Sequence, residues 1–195
     1  MKKTCWGTIA IDLDGVVCDF ESEFCDVFGR DNRHLPNLHE RYPNVDTDII
    51  TEFIQSESTY KRLFPLFGGI LLLNQAKQNN WNVLILTSRP KHLSEVTRTW
   101  VDEWTGHYYN IWFAYNKKEA IEYYNSMCPN EPIKFLVDDL VHNIEKLPNR
   151  VTGVVWEQPW NVGFSSRARY NEQNMTIEIS DTVSNWKPIW EMINK

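Results

Sequence analysis

The chain has 195 residues, of which 42% are hydrophobic and 13% aromatic, and a net charge of -6. This length suits one domain of ordinary size. The acidic balance argues against an extended nucleic-acid-binding surface. No apolar run approaches the roughly 20 residues that a membrane helix needs, so no membrane helix is predicted. Four cysteines (Cys5, Cys18, Cys25 and Cys128) lack metal-ligand spacing, so we expect reduced thiols in a cytoplasmic protein.

Short apolar runs alternate with segments of helical periodicity along the whole chain. The first half predicts a strand over 8–11, a helix over 19–28, a polar loop over 30–46, a helix over 48–57 and another that begins after Gly69. The second half predicts strands over 81–87, 109–114, 133–139, 151–156 and 175–179, with helices over 92–104, 117–124 and 182–193. This alternation predicts an α/β fold with a Rossmann-like parallel sheet flanked by helices.

Polar residues follow three of the predicted strands at the point where each strand ends. They are Asp12 and Asp14, Thr87 and Ser88, and Asp138 and Asp139. Ligands of open parallel sheets bind beyond the carboxyl ends of the strands, so we expect these groups to meet.

Converging carboxylates need a cation between them, and all-oxygen ligation favours Mg²⁺. Hydroxyl and backbone N–H groups at Thr87 and Ser88 could hold phosphate oxygens. Lys117 or Lys118, on the following crossover, could neutralise the remaining charge. The sequence therefore predicts phosphoryl transfer through an aspartyl-phosphate.

The order of these motifs resembles the haloacid dehalogenase superfamily of phosphohydrolases: Asp12-Leu13-Asp14, then Thr87-Ser88, then Lys117, then Asp138-Asp139. The segments DLDGVVCDFESEF, TSRP, FLVDD and WEQPWN are similar to 5'(3')-deoxyribonucleotidases. The resemblance implies a core formed by 1–16 and 71–195, and a small helical cap inserted after the first strand over 17–70. It also implies a nucleoside or deoxynucleoside monophosphate as the small phosphorylated substrate.

The same resemblance implies a role for each motif. Asp12 would be the nucleophile and Asp14 the general acid and base. Asp12, the backbone carbonyl of Asp14 and one of Asp138 and Asp139 would hold Mg²⁺. Thr87, Ser88 and Lys117 would bind the phosphoryl group, and Phe20 would line a nucleobase pocket. Two positions depart from the family pattern, because Tyr115 and Asn116 replace a basic and an acidic residue before Lys117.

Other functions fit parts of the pattern. The same chemistry could serve sugar phosphates or a nucleic-acid 3'-phosphate end, and the acids could form a non-catalytic Mg²⁺-binding module. A receiver domain carries its acid pair at the first strand and its lysine last. Here the lysine precedes Asp138 and Asp139 and a long insertion follows the first strand, which favours the hydrolase.

Several residues also have a purely structural interpretation. Phe20 suits a core as well as a base pocket, and Trp156 and Trp160 are expected to pack. Arg89, Lys91 and Arg98 could form a basic rim, but a solvated helix face is the expectation for them.

Overall fold

A six-stranded parallel sheet in the order β3-β2-β1-β4-β5-β6 forms the centre of the protein. The computed structural model describes residues 6–30, 35–161 and 176–179, the last as backbone alone. The strands are β1 (Thr8–Ile11), β2 (Asn82–Thr87), β3 (Asn110–Phe113), β4 (Ile133–Asp138), β5 (Thr152–Trp156) and β6 (Thr176–Ile179). The prediction of a Rossmann-like α/β fold with a parallel sheet is confirmed.

Strand β1 lies in the middle of this sheet. All four of its residues are buried, because parallel neighbours border both of its edges: Thr8 pairs with Asn82 of β2 and with Ile133 of β4. A strand covered on both faces needs the continuous apolar run that the sequence shows here. Asp12 and Asp14 therefore follow directly after a buried strand in the middle of the sheet.

Eight α-helices lie among the described residues. They are α1 (Phe20–Phe28), α2 (Leu38–Arg41), α3 (Thr47–Gln55), α4 (Glu57–Arg62), α5 (Phe67–Gln78), α6 (Ser94–Thr105), α7 (Lys117–Met127) and α8 (Val141–Glu145). In the described part of the chain, none of them is long and apolar enough to cross a bilayer. Cys18, Cys25 and Cys128 are free thiols, and Cys5 lies outside the described residues.

Alternate residues of β1 point to two different hydrophobic layers, as the pleat requires. Ile9 and Ile11 of β1 pack in one layer, which α5 and α6 cover. Ala10 points to the other layer, which α7 and α8 cover. A third, aromatic cluster forms between the helices that follow β1, around Phe24 and Phe53.

Several helical boundaries differ from the sequence prediction. The polar loop predicted over 30–46 contains the short helix α2, and the helix predicted over 48–57 ends at Gln55, after which α4 follows. Helix α5 begins at Phe67, before Gly69, and α8 was not predicted. These helices are short or lack a clear periodic pattern, and packing stabilises them instead. The helix predicted over 182–193 lies outside the described residues.

Glycine at position 69 allows α5 to touch the loop that follows β1. A Cβ atom there would lie 2.1 Å from the carbonyl oxygen of Val16. Because backbone cannot move away as a flexible side chain can, only glycine permits this approach. The helix thereby supports the loop that carries Asp14.

Candidate active site

The loop after β1 is a tight turn that closes on the carbonyl of Leu13. That oxygen accepts hydrogen bonds from the backbone N–H groups of Val17 and Cys18, at 2.9 and 2.8 Å. Gly15, at the centre of the turn, has a φ of +79°, which glycine adopts at little cost. The turn fixes Asp12 and Asp14 at the carboxyl end of the central strand.

Asp12 is buried and shares Lys117 with Asp138. Lys117 Nζ lies 2.8 Å from Asp12 Oδ1 and 2.6 Å from Asp138 Oδ2. Asp12 Oδ1 also accepts from the Leu13 N–H at 2.7 Å, whereas Asp12 Oδ2 accepts no hydrogen bond from the residues described. One oxygen of Asp12 is therefore held and the other is left for a metal or a phosphorus atom.

The structure distinguishes the two adjacent lysines that the sequence left open. Lys117 is the first residue of α7, and its side chain is 1% exposed. Asn116 caps this helix by accepting from the Glu119 N–H. Lys118 is 49% exposed and its Nζ lies 4.0 Å from Glu122, one turn along the helix. Lys117 is thus the lysine that the fold brings to the carboxylates.

Three carboxylates come together beside this lysine, from Asp12, Asp138 and Asp139. One oxygen of each lies within 4.8 Å of the others. Asp138 is held by the Leu140 N–H at 2.9 Å and by the side-chain amide of Asn143 at 3.1 and 3.2 Å. A compact set of buried carboxylate oxygens has the donor chemistry that Mg²⁺ prefers. The three residues therefore fit the predicted ion.

The electrostatics of the carboxylate cluster also favour a divalent cation. Burial raises the pKa of Asp12 to about 7, against the lowering effect of Lys117. Burial also raises the pKa of Asp139 well above its ordinary value, and the charge of Asp138 adds to the shift. Burial tends to lower the pKa of Lys117, but Asp12 and Asp138 outweigh it and raise that pKa. One ammonium does not balance three carboxylates, so a divalent cation would relieve the excess charge.

The carboxylate of Asp14 is bound by Arg89 and is not one of the three that converge. Arg89 Nε donates to Asp14 Oδ2 at 2.8 Å and Nη2 to Oδ1 at 2.6 Å. The guanidinium is 1% exposed and lies 4.3 Å from the centre of the Tyr60 ring. The expectation of a solvated Arg89 was therefore wrong, because the partly exposed Asp14 supplies a partner for its charge.

Thr87 and Ser88 lie at the end of the neighbouring strand β2. The Thr87 hydroxyl is buried and accepts from the Arg89 N–H at 3.2 Å. Ser88 is exposed and lines the cavity described below. Both residues thus lie at the predicted edge of the sheet, and the hydroxyl of the exposed Ser88 donates to the Ala114 carbonyl at 3.4 Å.

Trp160 has a polar contact in addition to packing. Its indole Nε1 donates to Asp139 Oδ2 at 3.1 Å, and the guanidinium of Arg41 lies 5.4 Å from its ring centre. Trp156, in contrast, is fully buried in the core. Nothing in the sequence separates these two tryptophans except that Trp160 follows a proline in a loop, where side chains serve sites more often.

A cavity of about 220 Å³ opens above Asp12, Asp14 and Asp139. Its walls come from the helices after β1 and from the loops at the strand ends. Aromatic rings, apolar residues and two ion pairs line it. They are Phe20, Tyr60 and Trp160; Leu38, Ile54 and Pro90; and Glu21 with Arg41 and Asp14 with Arg89. Phe20 also packs against Phe53 and Tyr60, at 5.8 and 6.0 Å between ring centres, so it serves both the core and the cavity wall.

Known structures share this fold. The structure is similar to a predicted phosphatase from Clostridium acetobutylicum, with a TM-score of 0.62 at 14% identity over 96% of this chain and 99% of that one. It is similar to D,D-heptose 1,7-bisphosphate phosphatase from B. bronchiseptica, complexed with magnesium and phosphate, with a TM-score of 0.53 at 11% identity over 95% and 99% of the two chains.

A third structure, described as a haloacid dehalogenase-like hydrolase from Burkholderia xenovorans LB400, gives a TM-score of 0.50 at 13% identity over 87% and 91% of the two chains. No protein-family model matches the sequence, and no curated protein matches it significantly. The structural likenesses establish a haloacid dehalogenase-like fold.

Proposed function

We propose that the protein is a Mg²⁺-dependent phosphomonoester hydrolase that acts through an aspartyl-phosphate on Asp12. The observation that carries this proposal is the position of Asp12 at the floor of the cavity, beside Lys117 and two further carboxylates. Its Oδ1 is held by Lys117 and by the Leu13 N–H, which leaves Oδ2 as the attacking atom. A carboxylate, a cation and an anion-binding strand end are the parts that phosphoryl transfer requires.

The first step forms a bond between Asp12 Oδ2 and phosphorus and breaks the bond from phosphorus to the leaving oxygen. Lys117 balances negative charge beside the nucleophile, and Ser88 offers a hydroxyl to the phosphoryl oxygens. Bound between Asp12, Asp138 or Asp139 and the Asp14 carbonyl, Mg²⁺ would offset the charge of the phosphoryl group. In the second step water attacks phosphorus, and phosphate and the free Asp12 carboxylate are released.

Asp14 is the proposed proton carrier in both steps. It would donate a proton to the leaving oxygen and later accept one from the attacking water. Both of its oxygens accept from Arg89 in the structure. Each carboxylate oxygen has a second lone pair, so Asp14 could take up a proton while Arg89 stays bound, and Arg89, which lines the cavity, could also meet the phosphoryl oxygens.

A nucleoside or deoxynucleoside monophosphate is the proposed substrate. Phe20 and Trp160 line the cavity and are partly exposed, so a flat ring could stack on them, whereas the Tyr60 ring is 2% exposed and already contacts Arg89. We further propose that residues 17–70 form the cap that provides most of these walls, over a core of 1–16 and 71–195. The resemblance to 5'(3')-deoxyribonucleotidases supports the same assignment.

The test is phosphate release from ribo- and deoxynucleoside 5'- and 3'-monophosphates, sugar phosphates and a 3'-phosphorylated oligonucleotide, with Mg²⁺ and with chelator. We expect a preference for nucleotides that disappears with chelator. Activity spread over sugar phosphates would keep the mechanism and remove the nucleotide assignment. If no ester releases phosphate, the remaining interpretation is a non-catalytic Mg²⁺-binding module.

The nucleophile is tested by Asp12→Asn, with Asp102→Asn as a matched control on the surface of α6, where its carboxylate is 44% exposed. We expect the Asp12 variant to lose turnover while it stays folded, and the Asp102 variant to keep full activity. Retained turnover of the Asp12 variant would refute its assignment as nucleophile.

A further inference from the structure

Three side chains from one loop connect the carboxyl end of β1 to the carboxyl end of β4. In the loop after β5, Gln158 Nε2 donates to the Gly15 carbonyl at 2.6 Å and Trp160 Nε1 to Asp139 Oδ2 at 3.1 Å. Asn161 Nδ2 donates to the Asp139 carbonyl at 2.7 Å and to the Trp156 carbonyl at 2.8 Å. We call Gln158, Trp160 and Asn161 the bracket.

The bracket is itself fixed in place. Asn161 is 5% exposed, and its side-chain oxygen accepts from the Gln158 N–H at 2.8 Å. One asparagine side chain therefore ties the loop to itself, to the end of β5 and to Asp139. Such a satisfied, buried polar group gives the loop one conformation.

We propose that the bracket positions Asp139 for Mg²⁺, with Trp160 as the positioning residue for its carboxylate. This inference rests on the proposed metal site and not on the identity of the substrate. The indole N–H of Trp160 donates to Asp139 Oδ2. This hydrogen bond orients the other carboxylate oxygen, Oδ1. Donors behind a metal ligand set the direction of its lone pairs, and their removal weakens metal affinity by about 10–100-fold.

A second contact limits the Asp139 carboxylate. A Cβ atom on Gly15 would lie 2.7 Å from Asp139 Oδ2 and 3.2 Å from Oδ1, so the carboxylate rests against the glycine backbone. Gln158 holds that same glycine through its carbonyl. The carboxylate thus contacts both Gly15 and Trp160, and Gln158 and Trp160 both belong to the bracket.

The indole ring and the indole N–H of Trp160 have separate partners. The ring lines the cavity, and the guanidinium of Arg41 lies 5.4 Å from the ring centre. Nε1 donates a hydrogen bond to Asp139. Trp160→Phe keeps an aromatic face for Arg41 and removes the donor. This variant therefore tests the positioning of Asp139 with little change to the cavity wall.

The experiment is calorimetric titration of Mg²⁺ into the full-length protein, its Trp160→Phe variant and a Trp104→Phe control. Trp104 lies on α6, is 44% exposed and contacts Trp100. We expect Mg²⁺ binding at least about tenfold weaker for the Trp160 variant and unchanged for the control. Melting temperatures of the three proteins show whether the effect is one of positioning rather than of folding.

Gln158→Met provides a second test if the Trp160 variant does not fold. It removes the donor to Gly15 at a half-buried position, and we expect weaker Mg²⁺ binding. Affinities within twofold of the wild type for the folded variants, or no Mg²⁺ binding by the wild type, would overturn the inference. Normal Mg²⁺ binding without phosphate release from any ester would overturn the proposed function instead and leave the bracket intact.

Discussion

Replacing Arg89 by methionine is expected to destabilise the protein strongly. The change removes a guanidinium that is 1% exposed and donates two hydrogen bonds to Asp14. Removing one partner of a buried ion pair costs about 3–5 kcal/mol. Because the Asp14 side chain is 27% exposed, water can partly replace the lost partner, and we expect a loss of about 3 kcal/mol in the free energy of unfolding.

Denaturant unfolding of Arg89→Met, Asp14→Asn and the double variant measures this interaction as a double-mutant cycle. We expect a coupling energy of about 2 kcal/mol, and the double variant to be more stable than the sum of the single losses implies. The control is Arg62→Met, which breaks a pair with Glu23 in which the arginine is 52% exposed. Surface pairs of this kind contribute about 0–1 kcal/mol.

The reasoning about Arg89 would be refuted by either of two results. One is an Arg89 variant within about 1 kcal/mol of the wild type, which would mean that the guanidinium is not a buried structural cation. The other is a coupling energy near zero, which would mean that Arg89 acts through Thr97 or Tyr60 rather than through Asp14.

Two further predictions concern the cluster and the cavity. Lys117→Met leaves Asp12 and Asp138 without their shared cation, so we expect a loss of roughly 3 kcal/mol of stability in chelator and a smaller loss in millimolar Mg²⁺, measured by denaturant unfolding. An identical loss in both buffers would show that no cation compensates for the lysine. Phe20→Ala is expected to raise KM about tenfold for nucleotides and far less for p-nitrophenyl phosphate. Equal changes in the two steady-state KM values would place Phe20 in the core alone.

The sheet and its polar edge could be predicted because their signals are local. A buried parallel strand is a continuous apolar run, and the polar residues that end β1, β2 and β4 interrupt such runs directly. Since parallel strands end on the same edge, the convergence of Asp12, Thr87 and Asp138 follows from topology alone. The structure brings Asp12 and Asp138 together on Lys117, whereas the hydroxyl of Thr87 accepts from the Arg89 N–H.

The environments of Lys117, Arg89 and Trp160 could not be predicted, because other segments determine them. Lys117 reaches Asp12 and Asp138 only because α7 packs against β1 and β4. The burial of Arg89 depends on Tyr60 and Cys18, from segments with no local link to it. The indole of Trp160 finds Asp139 only because β5 lies beside β4.

The central place of β1 has a consequence for the newly made chain. β1 is synthesised before its two neighbours, and Thr8 pairs with Asn82 on one side and with Ile133 on the other. One edge of this apolar strand therefore stays unpaired until β2 has been translated and the other until β4 has been translated, and contacts so distant in sequence form slowly. During that interval the apolar segment that ends at Asp12 stays exposed, as the surfaces that chaperones protect do, and a chain released before β4 emerges contains Asp12 and Asp14 without Asp138 and Asp139.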